Sequence, residues 1–187
     1  IYRMRLMKKT NIKPLLSILL VMILLYETTN TVYAYTTLGY KWKSSTIKYY
    51  YENFNSARAK TFINTGANGW SATDVNFSSG NAGNYNVYCS EVNNSNVSWD
   101  GLTTSYYSGA YFTSQNLQLN RAITSTWNSD GALKSVAIHE FGHCLGLDHL
   151  NGRVIMNPYT WGNNSRYGSY NISTIQLDDK NGANALY

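Results

Sequence analysis

The stretch His139-Glu-Phe-Gly-His-Cys-Leu-Gly-Leu-Asp-His149 decides the fold of this chain. Residues four apart lie on one face of an α-helix, so His139 and His143 can direct ring nitrogens at one metal ion. Gly146 can take the left-handed conformation that ends a helix, and the turn that follows brings His149 round as a third ligand. Three protein ligands leave a fourth position open, which is typical of a catalytic zinc site. We therefore expect one catalytic Zn²⁺ ion.

The acidic residue of this stretch has a separate role. Glu140 directly follows the first histidine, so its carboxylate lies beside the metal without needing to bind it and can accept a proton from metal-bound water. The chain has three histidines, and all of them fall at the ligand positions. No histidine is left for a second zinc site. The sequence also lacks a dense aspartate cluster, so it does not support a Ca²⁺ site.

Around this stretch, the spacing of apolar residues predicts one mixed α+β domain. A strand is expected where Ile47, Tyr49 and Tyr51 alternate with polar residues, and a helix is expected to begin at Asn55 or Ser56. The other expected elements are strands over residues 74–77, 84–92, 106–113 and 117–123, a helix over residues 130–146 and a last helix over residues 174–186.

The first 34 residues have the order of an export signal. Five basic residues precede an apolar run over residues 15–26, and small residues follow at Val32-Tyr33-Ala34. We interpret residues 1–34 as a signal peptide that is cleaved after Ala34. The alternative is a membrane anchor, but the run has about twelve residues and a bilayer takes roughly twenty. The expectation is a secreted, extracellular domain over residues 35–187 with no membrane anchor.

The charge of the chain supports this division. A formal net charge of +5 and a pI near 9.1 suit a protein that binds nucleic acid or another acidic surface. Residues 1–34, however, hold five of the fifteen Lys and Arg residues and one of the ten acidic residues. The remaining chain has ten basic and nine acidic residues, a net charge of +1. We therefore expect no nucleic-acid partner, and the charge count disfavours the rival function of a cationic surface-binding protein.

The chain resembles the metzincins, and among them the matrixins, the family of the matrix metalloproteinase catalytic domains. The metzincin signature is H-E-x-x-H-x-x-G-x-x-H followed by a Met-turn, and Met156 lies seven residues beyond His149 in Val154-Ile-Met-Asn-Pro-Tyr159. Lys41-Trp42-Lys43, the segment from Gly69 to Phe77 and the segment from Leu177 to Tyr187 also resemble matrixin sequences. The resemblance covers nearly all of residues 40–187.

This resemblance implies a fold and a reaction. The fold would be a metzincin, or zincin, catalytic domain with a twisted mixed β-sheet that has an antiparallel edge strand, an active-site helix and a C-terminal helix. His139, His143 and His149 would bind the catalytic zinc, and Glu140 would be the general base in peptide-bond hydrolysis. The implied partners are protein or peptide substrates, and we expect a monomer.

The resemblance also assigns residues beyond the zinc ligands. Met156 would form an apolar floor under the metal, and Pro158 and Tyr159 would line the pocket for the substrate side chain that follows the scissile bond. Tyr159 lies three residues after Met156, and not two, so we do not expect it to bind zinc. Asp178 and Asp179 match an acidic pair that ties the last helix to the domain. Their alternative role is an exposed acidic helix start, which suits the helix dipole.

Several alternatives stay open. A non-catalytic extracellular binding module on a zincin fold is the main rival, although such a module commonly loses its general base and Glu140 is present. The resemblance also implies that an extended substrate adds to an exposed sheet edge, and residues 106–112 are the candidate for that edge. Cys89 and Cys144 are either buried packing residues or a disulfide, which secretion permits. Matrixins are usually made with a cysteine-bearing propeptide, and no such segment fits between Ala34 and the first strand.

Overall fold

The computed structural model describes residues 35–52 and 55–187. Its elements are, in chain order, β1 (Thr46–Tyr51), α1 (Ala57–Asn68), β2 (Asn76–Ser79), β3 (Val87–Val92), β4 (Gly101–Ser108), β5 (Tyr111–Asn120), α2 (Thr124–Trp127), α3 (Asp130–Leu145) and α4 (Leu177–Leu186). The expected α+β class is confirmed. The proposed signal peptide lies outside the described residues. In the part of the chain that is described, no helix is both long and apolar enough to span a membrane.

The five strands form one sheet in the order β2-β1-β3-β5-β4. Strand β1 pairs in parallel with β2 and β3, and β3 pairs in parallel with β5. Strand β4 pairs with β5 in the antiparallel direction and forms one end of the sheet. The expected mixed sheet with an antiparallel edge strand is therefore confirmed.

The prediction of a strand over residues 106–113 is wrong. This segment contains the turn of a β-hairpin, with Gly109 at a φ of +60° between β4 and β5. The edge strand runs over Gly101–Ser108, so only its last residues belong to the segment that was expected to receive substrate. Closely spaced tyrosines on both sides of the turn produced a strand-like pattern that concealed the Ser-Gly turn signal. The short helix α2 was also not expected.

Helix α3 lies at the centre of the domain. Ser129 caps its start by accepting a hydrogen bond from the amide of Ala132, and Asp130 in the first turn suits the helix dipole. Most of its residues are buried, so it is a core helix and not an amphipathic surface helix. Two buried indoles donate to its carbonyl oxygens: Trp70 Nε1 to Ile138 at 3.0 Å and Trp42 Nε1 to Cys144 at 2.9 Å.

The two cysteines are free and buried in the core. Cys89 lies on strand β3 and Cys144 on helix α3. Burial raises the pKa of each thiol well above its ordinary value, because the thiolate would lose its hydration. The structure therefore agrees with their interpretation as packing residues.

Helix α4 is tied to the segment that follows His149. The carboxylate of Asp179, which is 2% exposed, accepts hydrogen bonds from the amides of Ile155 at 2.9 Å, Met156 at 3.1 Å and Gln176 at 2.7 Å. Burial raises the pKa of Asp179, and these three bonds oppose that shift. Asp178 is partly exposed. The tie expected of the acidic pair is thus confirmed for Asp179.

Substitution of Asp179 by alanine is expected to destabilise the domain. It leaves buried amides without an acceptor, and we expect a loss of about 3 kcal/mol in the free energy of unfolding. The adjacent Asp178→Ala variant is the matched control and should lie within about 0.5 kcal/mol of the wild type. Urea unfolding in zinc-free buffer, followed by circular dichroism, measures both. Equal losses in the two variants would contradict the proposed tie.

Candidate metal centre

The three histidines converge at the C-terminal end of helix α3. His139 and His143 lie one turn apart on the helix, which ends at Gly146 with a φ of +104°. The chain then reverses and returns His149 to the same point. The Nε2 atom of His143 lies 3.1 Å from the Nε2 atom of His139 and 3.1 Å from that of His149. Candidate ligand atoms of all three residues lie within 4.8 Å of one another.

This arrangement fits a zinc ion. The Nδ1 atoms of His139 and His143 donate to the carbonyl oxygens of Ile155 and Leu147, each at 2.8 Å. Because Nδ1 carries the proton, the two Nε2 atoms present lone pairs to each other, a repulsive contact that a cation between them would relieve. Two nitrogens that bind one tetrahedral zinc ion are about 3.3 Å apart, close to the spacing in this chain.

The surroundings keep the ligands neutral, as metal binding requires. Burial lowers the pKa of His139 well below its ordinary value and that of His143 to about 4, because the charged imidazolium would lose its hydration. The pKa of His149 is also lowered, again chiefly by burial, although this residue is the most exposed of the three.

A segment far away in the sequence supports the third ligand. Thr37 forms an antiparallel bridge with Leu147. The Thr36 hydroxyl donates to the carbonyl oxygen of His149 at 2.9 Å, and the amide of Asp148 donates to the carbonyl of Thr36 at 2.8 Å. The amide of Leu38 donates to Gly146 at 2.8 Å. Residues 36–38 therefore hold the turn that positions His149.

Glu140 lies beside this cluster and is only 4% exposed. Its Oε2 atom accepts a hydrogen bond from the hydroxyl of Thr103 at 2.8 Å. Gly101 on the same strand lies so close that a Cβ atom there would be 2.7 Å from Oε1 of Glu140. Burial raises the pKa of Glu140 to about 7, while the Thr103 bond acts in the opposite direction. Strand β4 thus fixes the carboxylate from one side.

The residues assigned to the Met-turn and pocket lie around the same centre. Met156 is buried, and its sulfur is the nearest atom to the position that a Cβ on Gly142 would occupy, so it packs against the histidine helix. Pro158 and Tyr159 line an open cavity of about 580 Å³ together with the three histidines and Glu140. The structure thus brings every residue expected at the site to one region.

Three residues of this region were missed from the sequence alone. Thr103 and Gly101 contact Glu140 from a strand whose limits were predicted wrongly. Arg166 is 1% exposed and lines the cavity, and its Nη1 atom donates to the carbonyl oxygen of Asn157 at 2.8 Å. The segment over residues 161–170 shows no periodicity that would indicate an inward-facing arginine.

Comparison with known proteins gives a family match. A family model described as Matrixin matches residues 41–187. Among solved structures, that of myroilysin matches with 18% sequence identity and a TM-score of 0.45, over 62% of this chain and 55% of that one. The chain therefore spans about half the length of that solved chain. A comparison with curated proteins gave no match.

The histidine cluster predicts a measurable zinc affinity. We expect the protein to bind one zinc ion, and His149→Ala to weaken binding by more than the roughly 10–100-fold that loss of an outer-shell contact costs. Competition with a chromogenic chelator measures the affinity, and elemental analysis measures the stoichiometry. Asn151→Ala, an exposed change two residues further along the same loop, is the control and should keep wild-type affinity. Unchanged affinity in His149→Ala would exclude that residue as a ligand.

Proposed function

The chain belongs to the matrixin family, and on this premise we propose that it is a secreted zinc-dependent endopeptidase with Glu140 as its general base. The observation that carries the proposal is the convergence of three neutral histidines beside one buried carboxylate in an open cavity. A zinc ion held by these three residues would keep one coordination position for water or substrate, and Glu140 lines the same cavity as the histidines.

Each residue has a defined part in this reaction. His139, His143 and His149 hold the metal, and the two carbonyl acceptors at Nδ1 fix the orientation of the first two rings. Bound zinc supplies Lewis-acid chemistry, which lowers the pKa of coordinated water and polarises a carbonyl group. Glu140 then accepts the proton of the attacking water and delivers it to the nitrogen of the leaving amine.

The environment of Glu140 suits this proton transfer. Oε2 is engaged by Thr103, whereas Oε1 receives no hydrogen bond from the described residues. A carboxylate whose pKa is raised by burial is also a stronger base than one in water, because the charged form is less stabilised. One oxygen is therefore held in place while the other remains available to accept a proton.

The edge of the sheet suits an extended peptide. Strand β4 pairs with β5 on one side and is the terminal strand of the sheet. Its residues Gly101 to Thr103 line the cavity of the metal centre. A substrate that adds to this edge would place its backbone beside Glu140. Peptide or protein substrates are therefore the proposed partners, and export would place the enzyme outside the cell.

The rival function is an extracellular binding module on the same fold. It predicts metal binding without turnover. Glu140, buried and oriented by Thr103, favours the enzyme, because a binding module has no need for a positioned base. A digest of a protein substrate with and without a chelator separates the two functions.

Replacement of the base is the direct test. Glu140→Ala should keep one bound zinc and lose about 10²–10⁴-fold in kcat, the usual contribution of a positioned general base. Peptide hydrolysis and metal content should be measured on the same preparation, and Glu140→Gln tests whether loss of charge alone suffices. Full turnover in a zinc-loaded Glu140→Ala protein would remove Glu140 from this role.

Thr103 is expected to act by positioning Glu140. Thr103→Val keeps the shape of the side chain but loses the hydroxyl, so we expect kcat to fall about tenfold with little change in KM or zinc content. Thr103→Ser should restore most of the rate. Thr104→Val is the matched control, because Thr104 is exposed on the same strand. Equal effects of the two valine variants would indicate a general disturbance of β4 and contradict the positioning role.

A further inference from the structure

We propose that Arg166 makes this enzyme selective for peptides that carry an acidic side chain directly after the scissile bond. This inference rests on the proposed peptidase function and names its substrate class. Arg166 would receive the side-chain carboxylate of that residue, while the scissile bond itself lies at the metal centre.

The guanidinium group of Arg166 is buried without an acidic partner among the described residues. Arg166 is buried, yet its Nε atom has no hydrogen-bond partner among the described residues. Within the described ranges, the side chain donates one hydrogen bond, from Nη1 to the carbonyl oxygen of Asn157. No carboxylate in the described residues lies within 4.0 Å of it. Buried charges are normally paired, because an unpaired one loses its hydration without compensation.

The side chain of Arg166 lies at the cavity of the candidate metal centre. Arg166 lines the same cavity as His139, Glu140, Pro158 and Tyr159. Thr160 also lines this cavity, and its buried hydroxyl has no hydrogen-bond partner in the described part of the chain. A guanidinium whose Nε lacks a partner and a hydroxyl that lacks one, both among the described residues, suit a ligand with carboxylate oxygens, since a carboxylate can accept from each.

The neighbouring acids do not fill this role. Asp100 and Glu140 act on Arg166 only through their charges at longer range, and the main effect on the pKa of Arg166 is a lowering by burial. Asp100 accepts a hydrogen bond from the hydroxyl of Thr126 at 2.9 Å, and Glu140 accepts one from Thr103. The charge of the guanidinium is therefore partly offset by these two acids, but no carboxylate of the described residues forms an ion pair with it.

The backbone of Arg166 is held firmly, so the side chain is preorganised. Its amide donates to the carbonyl oxygen of Tyr159 at 2.8 Å, and its own carbonyl accepts from Ile172 at 2.7 Å. The first bond joins Arg166 to a residue of the proposed pocket wall. A fixed donor loses little freedom when a substrate binds, which favours selectivity.

The test compares two peptides that differ only at the residue after the scissile bond, glutamate in one and glutamine in the other. For the wild-type zinc enzyme we expect kcat/KM to favour glutamate about tenfold or more, since charge-assisted hydrogen bonds are roughly twice as strong as neutral ones. Arg166→Gln should reduce this ratio to about one or below, and Arg166→Lys should keep part of it. The ratio reports selectivity whatever overall activity a variant loses.

Arg153→Gln is the matched control, because it removes the same charge from an exposed arginine outside the cavity. It should keep the wild-type ratio. A fall in Arg153→Gln equal to that in Arg166→Gln would show a general effect of net charge and overturn the proposal. A wild-type enzyme that cleaves both peptides equally, or an Arg166→Gln variant that loses activity on both with the ratio unchanged, would also overturn it.

Binding without turnover separates this inference from the proposed function. Trp99 and Trp161 line the cavity, so their fluorescence can follow the binding of both peptides to zinc-free protein. We expect tighter binding of the glutamate peptide to the wild type and loss of that difference in Arg166→Gln. Hydrolysis of neither peptide would overturn the peptidase function, whereas hydrolysis with equal binding and equal cleavage would overturn only the role of Arg166.

Discussion

Hydrogen bonds from the indoles of Trp42 and Trp70 to carbonyl oxygens of α3 hold this helix in the core from two directions. The position of α3 determines much of the site, because it carries two of the histidines and Glu140. Its burial removes water from these side chains, which keeps the imidazoles neutral and raises the pKa of Glu140 to about 7. Packing of one helix therefore sets both the geometry and the charge state of the metal centre.

Burial also governs the opposite side of the cavity. Arg166 keeps a charged group in a place where water is scarce, and Asp100 and Glu140 offset that charge only at a distance. Electrostatic interactions are stronger in such surroundings than in bulk water, so a single substrate carboxylate would have a large effect on binding. In the proposed function, the buried carboxylate on one side of the cavity serves the reaction and the buried guanidinium on the other side serves substrate recognition.

The sequence predicted the convergence of the three histidines well, since it follows from helix geometry and a glycine turn within eleven consecutive residues. The sequence prediction of a strand across the hairpin turn was wrong, because the tyrosines on both sides of Gly109 give the pattern of a continuous strand. Thr103 and Arg166 act through contacts between distant segments, and neither has a local spacing that marks it. The support of His149 by Thr36 spans 113 residues, a pairing that no local pattern indicates. Local sequence patterns thus identified the three histidines, whereas tertiary packing determines which residues surround them.

The early segment at residues 36–38 has a consequence for how the protein assembles. This segment pairs with the turn after α3. The hydroxyl of Tyr187 accepts a hydrogen bond from the amide of Trp42 and donates one to the carbonyl oxygen of Leu145. Residues from the beginning and the end of the domain therefore meet at its central helix. Contacts with such large separations in sequence are slow to form, because long loops must close first. The hydrogen bond that supports His149 forms only when such a loop has closed. We therefore expect the complete three-histidine cluster to form late in folding.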